Sequence, residues 1–275
     1  MFLTRIFIFL AVIPIALLSV LLPIFNIPLC LINKKYAIKL TSFFSYTIWS
    51  LFNLILLDRV DLEIETEDLS IQSGENTIVI SNHIGAMDFL ILNHIASKYK
   101  MIAHMKYVLK ESIRYIPIFG WNLGFLGFLF LKRAFLHDSE RIIKWLRFMK
   151  YEQIPMWLVL YPEGSRYTFK KQEESIKYCK KIRETPLANL LWPRTKGFEL
   201  CYQELRGYIS KIVDVTVYCP NTPSLFFVFF GWSNIKIKAK VRCINIKDIK
   251  NTPKEYLIAL FKEKDMQIKK WKSQL

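Results

Sequence analysis

In the stretch Asn82-His83-Ile84-Gly85-Ala86-Met87-Asp88, a histidine and a carboxylate stand five residues apart, directly after an apolar run. An alcohol is a poor nucleophile at neutral pH and needs a base to take its proton during attack. Imidazole is the side chain whose ordinary pKa suits that work. A carboxylate beside it accepts a hydrogen bond from the other ring nitrogen and so fixes one tautomer and one ring orientation. His83 is therefore the candidate base and Asp88 the candidate orienting group. A strand-end histidine next to a helix-capping aspartate would give the same spacing with no chemistry.

About eighty residues later a second polar cluster follows a second apolar run. Met156 to Leu160 leads into Tyr161-Pro162-Glu163-Gly164-Ser165-Arg166. Gly164 allows close approach of backbone to a ligand, Ser165 offers a hydroxyl, and Arg166 supplies a planar fork suited to phosphate oxygens. Glu163 is placed to hold that arginine. An ordinary loop with a surface ion pair is the plainer reading of this cluster when it is taken alone.

The elements that position these residues follow from helical geometry. Five residues along a regular helix turn a side chain by roughly 500°, about 140° from its start, so His83 and Asp88 do not share one straight helix face. The sequence instead predicts a short buried strand from Thr77 to Ser81, a bend near Gly85 and a helix starting around Met87. Backbone amides near that bend are candidate oxyanion donors. Further strands are expected at 100–104, 128–131, 156–161 and 211–218, with helices at 87–98, 138–151, 170–184 and 195–206. This order implies an α/β fold with a mixed, largely parallel sheet flanked by helices. Motifs at strand ends would then meet in one crevice.

These motifs resemble those of the glycerolipid acyltransferases, the family typified by 1-acyl-glycerol-3-phosphate acyltransferase, whose signatures are N-H-x4-D and an E-G-T-R-like block. Ser165 stands where that block usually has threonine and keeps the hydroxyl. Gly127 to Arg133 (G-F-L-F-L-K-R) resembles the intermediate block, and Ile116 to Trp121 the segment before it. Leu191 to Phe198 (L-W-P-R-T-K-G-F) and Lys262-Glu263-Lys264-Asp265 are similar to elements of the eukaryotic-type branch that includes lysophosphatidate and lysocardiolipin acyltransferases. Val213 to Val217 sits where the last block's strand belongs.

The resemblance implies transfer of a fatty acyl group from acyl-CoA to the sn-2 hydroxyl of lysophosphatidic acid, giving phosphatidic acid. Lysocardiolipin, another lysophospholipid and glycerol 3-phosphate are the alternative acceptors, and a noncatalytic lipid-binding role is the alternative class. It also implies His83 and Asp88 as catalytic residues, with Glu163, Gly164, Ser165, Arg166, Arg133 and Lys132 binding substrate. No cofactor beyond the acyl-CoA substrate and no metal is expected.

Composition points to a membrane independently of that resemblance. Hydrophobic residues make up 52% and aromatics 15% of 275 residues, more than a soluble domain needs. Ile6 to Leu22 carries no charge and the apolar stretch continues to Ile32, long enough to enter or span a bilayer. From Tyr36 to Leu57, Lys39, Ser42, Ser45, Ser50 and Asn53 recur at short intervals, the pattern of an amphipathic helix. The expected organisation is an N-terminal hydrophobic helical membrane anchor, residues 1–57, and an acyltransferase domain, residues 58–275. Ile116 to Leu131, with Pro117 and three glycines, reads as a buried strand-loop or a lipid-facing acyl-chain groove, with Trp121 lining it or packed in the core.

A net charge of +16 fits anionic lipid and phosphorylated substrates. Nucleic acid has no supporting motif. Ile235 to Cys243 (I-K-I-K-A-K-V-R-C) alternates strictly and reads as an edge strand protected by lysine. Five scattered cysteines without a C-x-x-C pair suit reduced thiols. His94, His104 and His137 read as packing or surface residues. The endoplasmic reticulum membrane, with the catalytic domain accessible from the cytosol, is the expected location.

Overall fold

The structure is a computed structural model that describes residues 20–57, 60–67, 70–85, 87–132, 134–220 and 235–274. Most of the uncharged run from Ile6 to Leu22, and Arg133, lie outside the described residues.

Two helices come first, α1 (20–32) and α2 (Lys34–Leu57). Asn33 separates them, its Oδ1 accepting the Lys35 N–H at 2.9 Å as a helix cap. The chain then runs β1 (Val60–Thr66), β2 (Thr77–Ser81), α3 (Asp88–Lys98), β3 (Met105–Lys110), α4 (Phe119–Phe125), β4 (Leu129–Leu131), α5 (Phe135–Tyr151) and β5 (Trp157–Leu160). It continues with α6 (Phe169–Lys181), α7 (Thr195–Glu204), β6 (Lys211–Tyr218), β7 (Ile235–Asn245) and α8 (Pro253–Lys272).

The strands form one sheet in the order β1-β7-β6-β2-β5-β3-β4. Every neighbouring pair is parallel except β6 with β7. The sheet is therefore mixed and mostly parallel, as the alternation of strand and helix patterns predicts. Thr77-Ile-Val-Ile-Ser81 is buried along its whole length and divides its side chains between two layers. Val79 joins one core with Leu90, Ile91, Val213 and Val215, packed under α3. Ile78 and Ile80 join the other with Leu146, Met149, Phe198 and Phe261, from α5, α7 and α8.

Three expectations change. The strand expected at 100–104 begins later, at Met105, after a single turn of 3-10 helix at Ile102–His104. The basic strand β7 is not an edge strand but lies between β1 and β6. Its lysines face acidic residues on and just after β1, Lys238 to Glu63 at 3.5 Å and Lys240 to Glu67 at 2.6 Å, so charge complementarity on that face takes the place of edge protection. Within Ile116 to Leu131 the chain makes the short helix α4 despite its glycines. Gly120 is required there, because a Cβ would lie 2.1 Å from the Ile113 carbonyl oxygen. Trp121 is about half exposed.

No described helix is long and apolar enough to cross a membrane. Several polar residues of α2 face inward: Thr41, Ser42, Ser45 and Asn53 are buried with Ala37 and Ile38, whereas Tyr36, Phe43, Tyr46 and Leu54 are exposed together with Lys39 and Thr47. Asn26 of α1 is likewise buried, with Phe25, Leu31 and Ile32 outside. Lys34 lies over the Phe148 ring at 4.8 Å and Lys35 pairs with Glu152 at 3.3 Å, so the start of α2 is tied to the end of α5, while the helix itself packs on α3 and the Ile102–His104 turn.

Candidate active site

Parallel strands send their carboxyl ends to one edge of a sheet, where ligands of such folds bind. Here that edge carries His83 after β2, Pro162 to Arg166 after β5 and Lys132 after β4. The strands order these groups along the edge. His83 and the Glu163 loop follow adjacent strands, and Lys132 follows a strand three places from β2, roughly 14 Å away at about 4.8 Å per strand.

The bend after β2 brings histidine and carboxylate together. His83 Nδ1 lies 2.5 Å from Asp88 Oδ2, a geometry that the chain reverses into at Gly85 before α3 begins with Asp88. The Gly85 N–H donates to both Asp88 oxygens, at 3.2 and 3.3 Å. That amide is thereby committed to Asp88 and is removed from the candidate oxyanion donors. Asp88 is buried, and burial pushes its carboxyl up from its ordinary value against the opposing pull of His83 and the Gly85 amide. The His83 ring stacks on Tyr161, centroids 4.5 Å apart. Aspartate on one nitrogen and a ring beneath leave Nε2 as the nitrogen that can take a proton.

The backbone of His83 is held just as closely. Its N–H donates to Glu163 Oε1 at 2.8 Å, and its carbonyl accepts the Tyr167 N–H at 3.2 Å. Asn82, one residue earlier, donates from Nδ2 to the Val217 carbonyl and accepts the Val217 N–H at Oδ1, both at 2.8 Å. The histidine is thus fixed from β5 on one side and from β6 on the other. The Asn82 amide completes the sheet where the β2 backbone turns away, a role that its place in the motif does not reveal.

Glu163 does not hold Arg166. It is buried, and its second oxygen accepts the Leu191 N–H at 2.9 Å. Burial raises its carboxyl to about 7, opposed by the two backbone N–H groups. Gly164 has φ +71°, in the left-handed region, and a Cβ there would come within 3.2 Å of the Arg194 side chain. Arg194 also donates its N–H to the Pro162 carbonyl at 2.8 Å. The Pro193-Arg194 segment is therefore part of this loop, and Arg194 and Arg166 are both exposed around it. Ser165 is half-buried between them. Nothing in the residues of Leu191 to Phe198 marks Arg194 as part of the site; only the folded loop brings its side chain onto Gly164.

Lys132 stands apart from this group, exposed, beside a cavity of about 520 Å³ lined by Lys132, His137, Asp138 and Arg141. Asp138 accepts the backbone N–H of Lys132 at 3.1 Å and of Ala134 at 2.9 Å. Arg141 is committed to Glu111 and the Phe130 carbonyl, both at 2.9 Å. Nothing structural is described for Arg133. His83, Asp88 and the loop from Glu163 to Arg166 form one cluster, and Lys132 marks a second along the same edge.

With this geometry in place, comparison with known proteins is direct. The model of the family described as Acyltransferase matches residues 62–219. The chain is 32% identical over 233 residues to 1-acyl-sn-glycerol-3-phosphate acyltransferase 3 of Arabidopsis thaliana, covering 82% of this chain and 61% of the relative. It is 28% identical over 243 residues to 1-acyl-sn-glycerol-3-phosphate acyltransferase gamma of Homo sapiens, covering 85% of this chain and 64% of that protein. The chain thus spans about three fifths of the length of these curated relatives. The crystal structure of the 1-acyl-sn-glycerophosphate acyltransferase of Thermotoga maritima aligns with 96% of this chain and 97% of its own, with TM-score 0.47 and 16% identity.

Proposed function

We propose a function from one premise: the chain belongs to the acyltransferase family whose model matches it. It transfers a fatty acyl group from acyl-CoA to the sn-2 hydroxyl of lysophosphatidic acid, releasing coenzyme A and phosphatidic acid. The observation that carries this reading is the 2.5 Å contact between His83 and Asp88 at the carboxyl edge of the sheet. The names of its relatives support the acceptor.

His83 Nε2 takes the proton of the acceptor hydroxyl as its oxygen attacks the thioester carbonyl, and buried Asp88 stabilises the imidazolium that forms. Collapse of the tetrahedral species breaks the carbon–sulfur bond and expels the thiolate, which is already a good leaving group. Arg166 and Ser165 receive the acceptor phosphate, and Gly164 makes room for Arg194, which adds a second guanidinium. Lys132 and Arg133 meet further anionic groups of the substrates. Glu163 serves the bound substrate by holding the histidine.

Residues 1–57 are the membrane anchor and 58–275 the catalytic domain. Support comes from the large apolar side chains that α1 and α2 expose, Phe25, Leu31, Ile32, Phe43 and Leu54, while Asn26, Ser42, Ser45 and Asn53 are buried, a pattern that suits a hydrocarbon surrounding better than water. An acceptor that resides in the bilayer then reaches His83 without leaving it.

The test is thiol release from acyl-CoA by the purified protein against a panel of acceptors, with mass analysis of the lipid product. Release that depends on lysophosphatidic acid and yields phosphatidic acid is expected, and His83→Ala should lower kcat at least about 100-fold while the protein remains folded. Release without an acceptor would make it a thioesterase, and unchanged transfer by His83→Ala would sink the mechanism.

A further inference from the structure

Two charged residues near the C terminus, 181 and 182 positions after His83, stand beneath the site with nothing in the mechanism to use them. Lys264 of α8 is fully buried, a costly position for an ammonium. Its Nζ meets Asp214 Oδ1 at 2.5 Å and donates to the Val215 carbonyl at 2.6 Å and the Ile80 carbonyl at 3.4 Å. Ile80 and Val215 are paired-strand residues of β2 and β6, and Ile80 lies three positions before His83. Asp214 in turn takes Arg242 Nε at 2.8 Å, so the buried ammonium is matched by a braced carboxylate.

The neighbouring Asp265 faces the other way. Its carboxylate accepts the Ala188 N–H at 3.0 Å and the Asn189 N–H at 2.6 Å, and its backbone carbonyl accepts from the Asn189 side chain at 3.3 Å. Two residues on, the Leu191 N–H donates to Glu163, whose other oxygen holds the His83 N–H. Three hydrogen-bonded steps therefore join Asp265 to the catalytic histidine: carboxylate to the 188–189 turn, Leu191 to Glu163, and Glu163 to His83. Lys264 reaches the same histidine through the end of its own strand.

We propose that Lys264 and Asp265 are positioning residues for the acyl-transfer base, one fixing the end of β2 and the other fixing, through Leu191 and Glu163, the backbone of His83. The physical reason is leverage. His83 sits on a turn, where backbone is free to shift, and a displacement of about 1 Å at a reacting group costs on the order of 100-fold in rate. The Gly85 amide ties the turn only to Asp88, so α8, which packs on β6 and α7 and reaches the end of β2 through Lys264, supplies the fixed frame. Neither residue need touch the substrate.

This inference rests on the reading of His83 as the base. Lys264→Met strands Asp214 and risks a misfolded protein, so half-exposed Asp265 is the residue to change. In Asp265→Ala, the His83 and Leu191 amides, followed by hydrogen–deuterium exchange of the full chain in detergent, should exchange at least about tenfold faster, with peptides of β3 unchanged. kcat should fall about tenfold or more with the acceptor KM within about twofold, and Asp265→Asn, which keeps one acceptor oxygen, should recover part of the loss. Unaltered exchange at His83 overturns the proposal, as does an unchanged kcat, or a change confined to KM. If the unmodified protein transfers no acyl group, the function proposed above fails, and the exchange experiment alone decides whether α8 positions His83.

Discussion

At the scale of single residues, the site is a case of backbone hydrogen bonds deciding what side chains are for. Glu163 reads in sequence as a partner for Arg166, yet both its oxygens go to amides from distant segments, at Leu191 and His83. Spacing reveals a carboxylate near an arginine; it does not reveal which N–H groups two loops bring to it. Gly164 gives a sharper test of how the loop is built. Alanine there has to adopt a left-handed φ, costing about 1–2 kcal/mol, and its Cβ presses on Arg194. Gly164→Ala is expected to lower stability in denaturant unfolding by that amount or more and to raise the acceptor KM. Removing the clash with Arg194→Ala should recover part of the stability cost and none of the KM, a result that a double-mutant cycle reads directly.

At the scale of elements, β3 carries a residue that the fold tolerates at a cost. Lys106 is fully buried on β3, opposite Leu158 of β5, and among the described residues its Nζ has no hydrogen-bond partner. Burial lowers its ammonium to about 7. Between pH 7 and 10 the unfolded chain therefore holds a proton that the folded protein has released, and by linkage the folded state gains stability as pH rises through that window. Lys106→Met keeps the volume and removes the charge. It is expected to stabilise the protein most at or below pH 7, with the gain shrinking toward pH 10, as urea unfolding at several pH values would show. A gain that does not vary with pH would mean that packing, not charge, sets the effect. The same element starts at Met105 instead of Lys100, because the chain first spends a 3-10 turn after α3.

At the scale of the whole molecule, the charge of +16 and the exposed apolar faces of α1 and α2 belong together. Apolar side chains gain about 25 cal/mol per Å² when removed from water, and basic residues near an anionic surface add about 1 kcal/mol each. On the proposed membrane reading, Leu31→Ser with Ile32→Ser, both more than 80% exposed, should weaken flotation with anionic vesicles without altering thermal stability. Unchanged flotation would place the membrane contact elsewhere on the chain. High salt should weaken binding further, since the charge contribution is screened and the apolar one is not.

Much was fixed by local chemistry. The strand Thr77 to Ser81, the turn at Gly85, the helix beginning at Asp88 and the mostly parallel sheet all follow from apolar runs and turn residues, because each of those signals acts within a few positions. The histidine–aspartate pair was legible for the same reason. Only the tertiary structure decided that β7 is interior, that Glu163 braces a backbone, that Arg194 lies on Gly164, and that Lys264 and Asp265 sit beneath His83. Each of these depends on segments tens to nearly two hundred residues apart meeting at one sheet edge, and no periodicity in the chain records which distant amide a buried carboxylate will find.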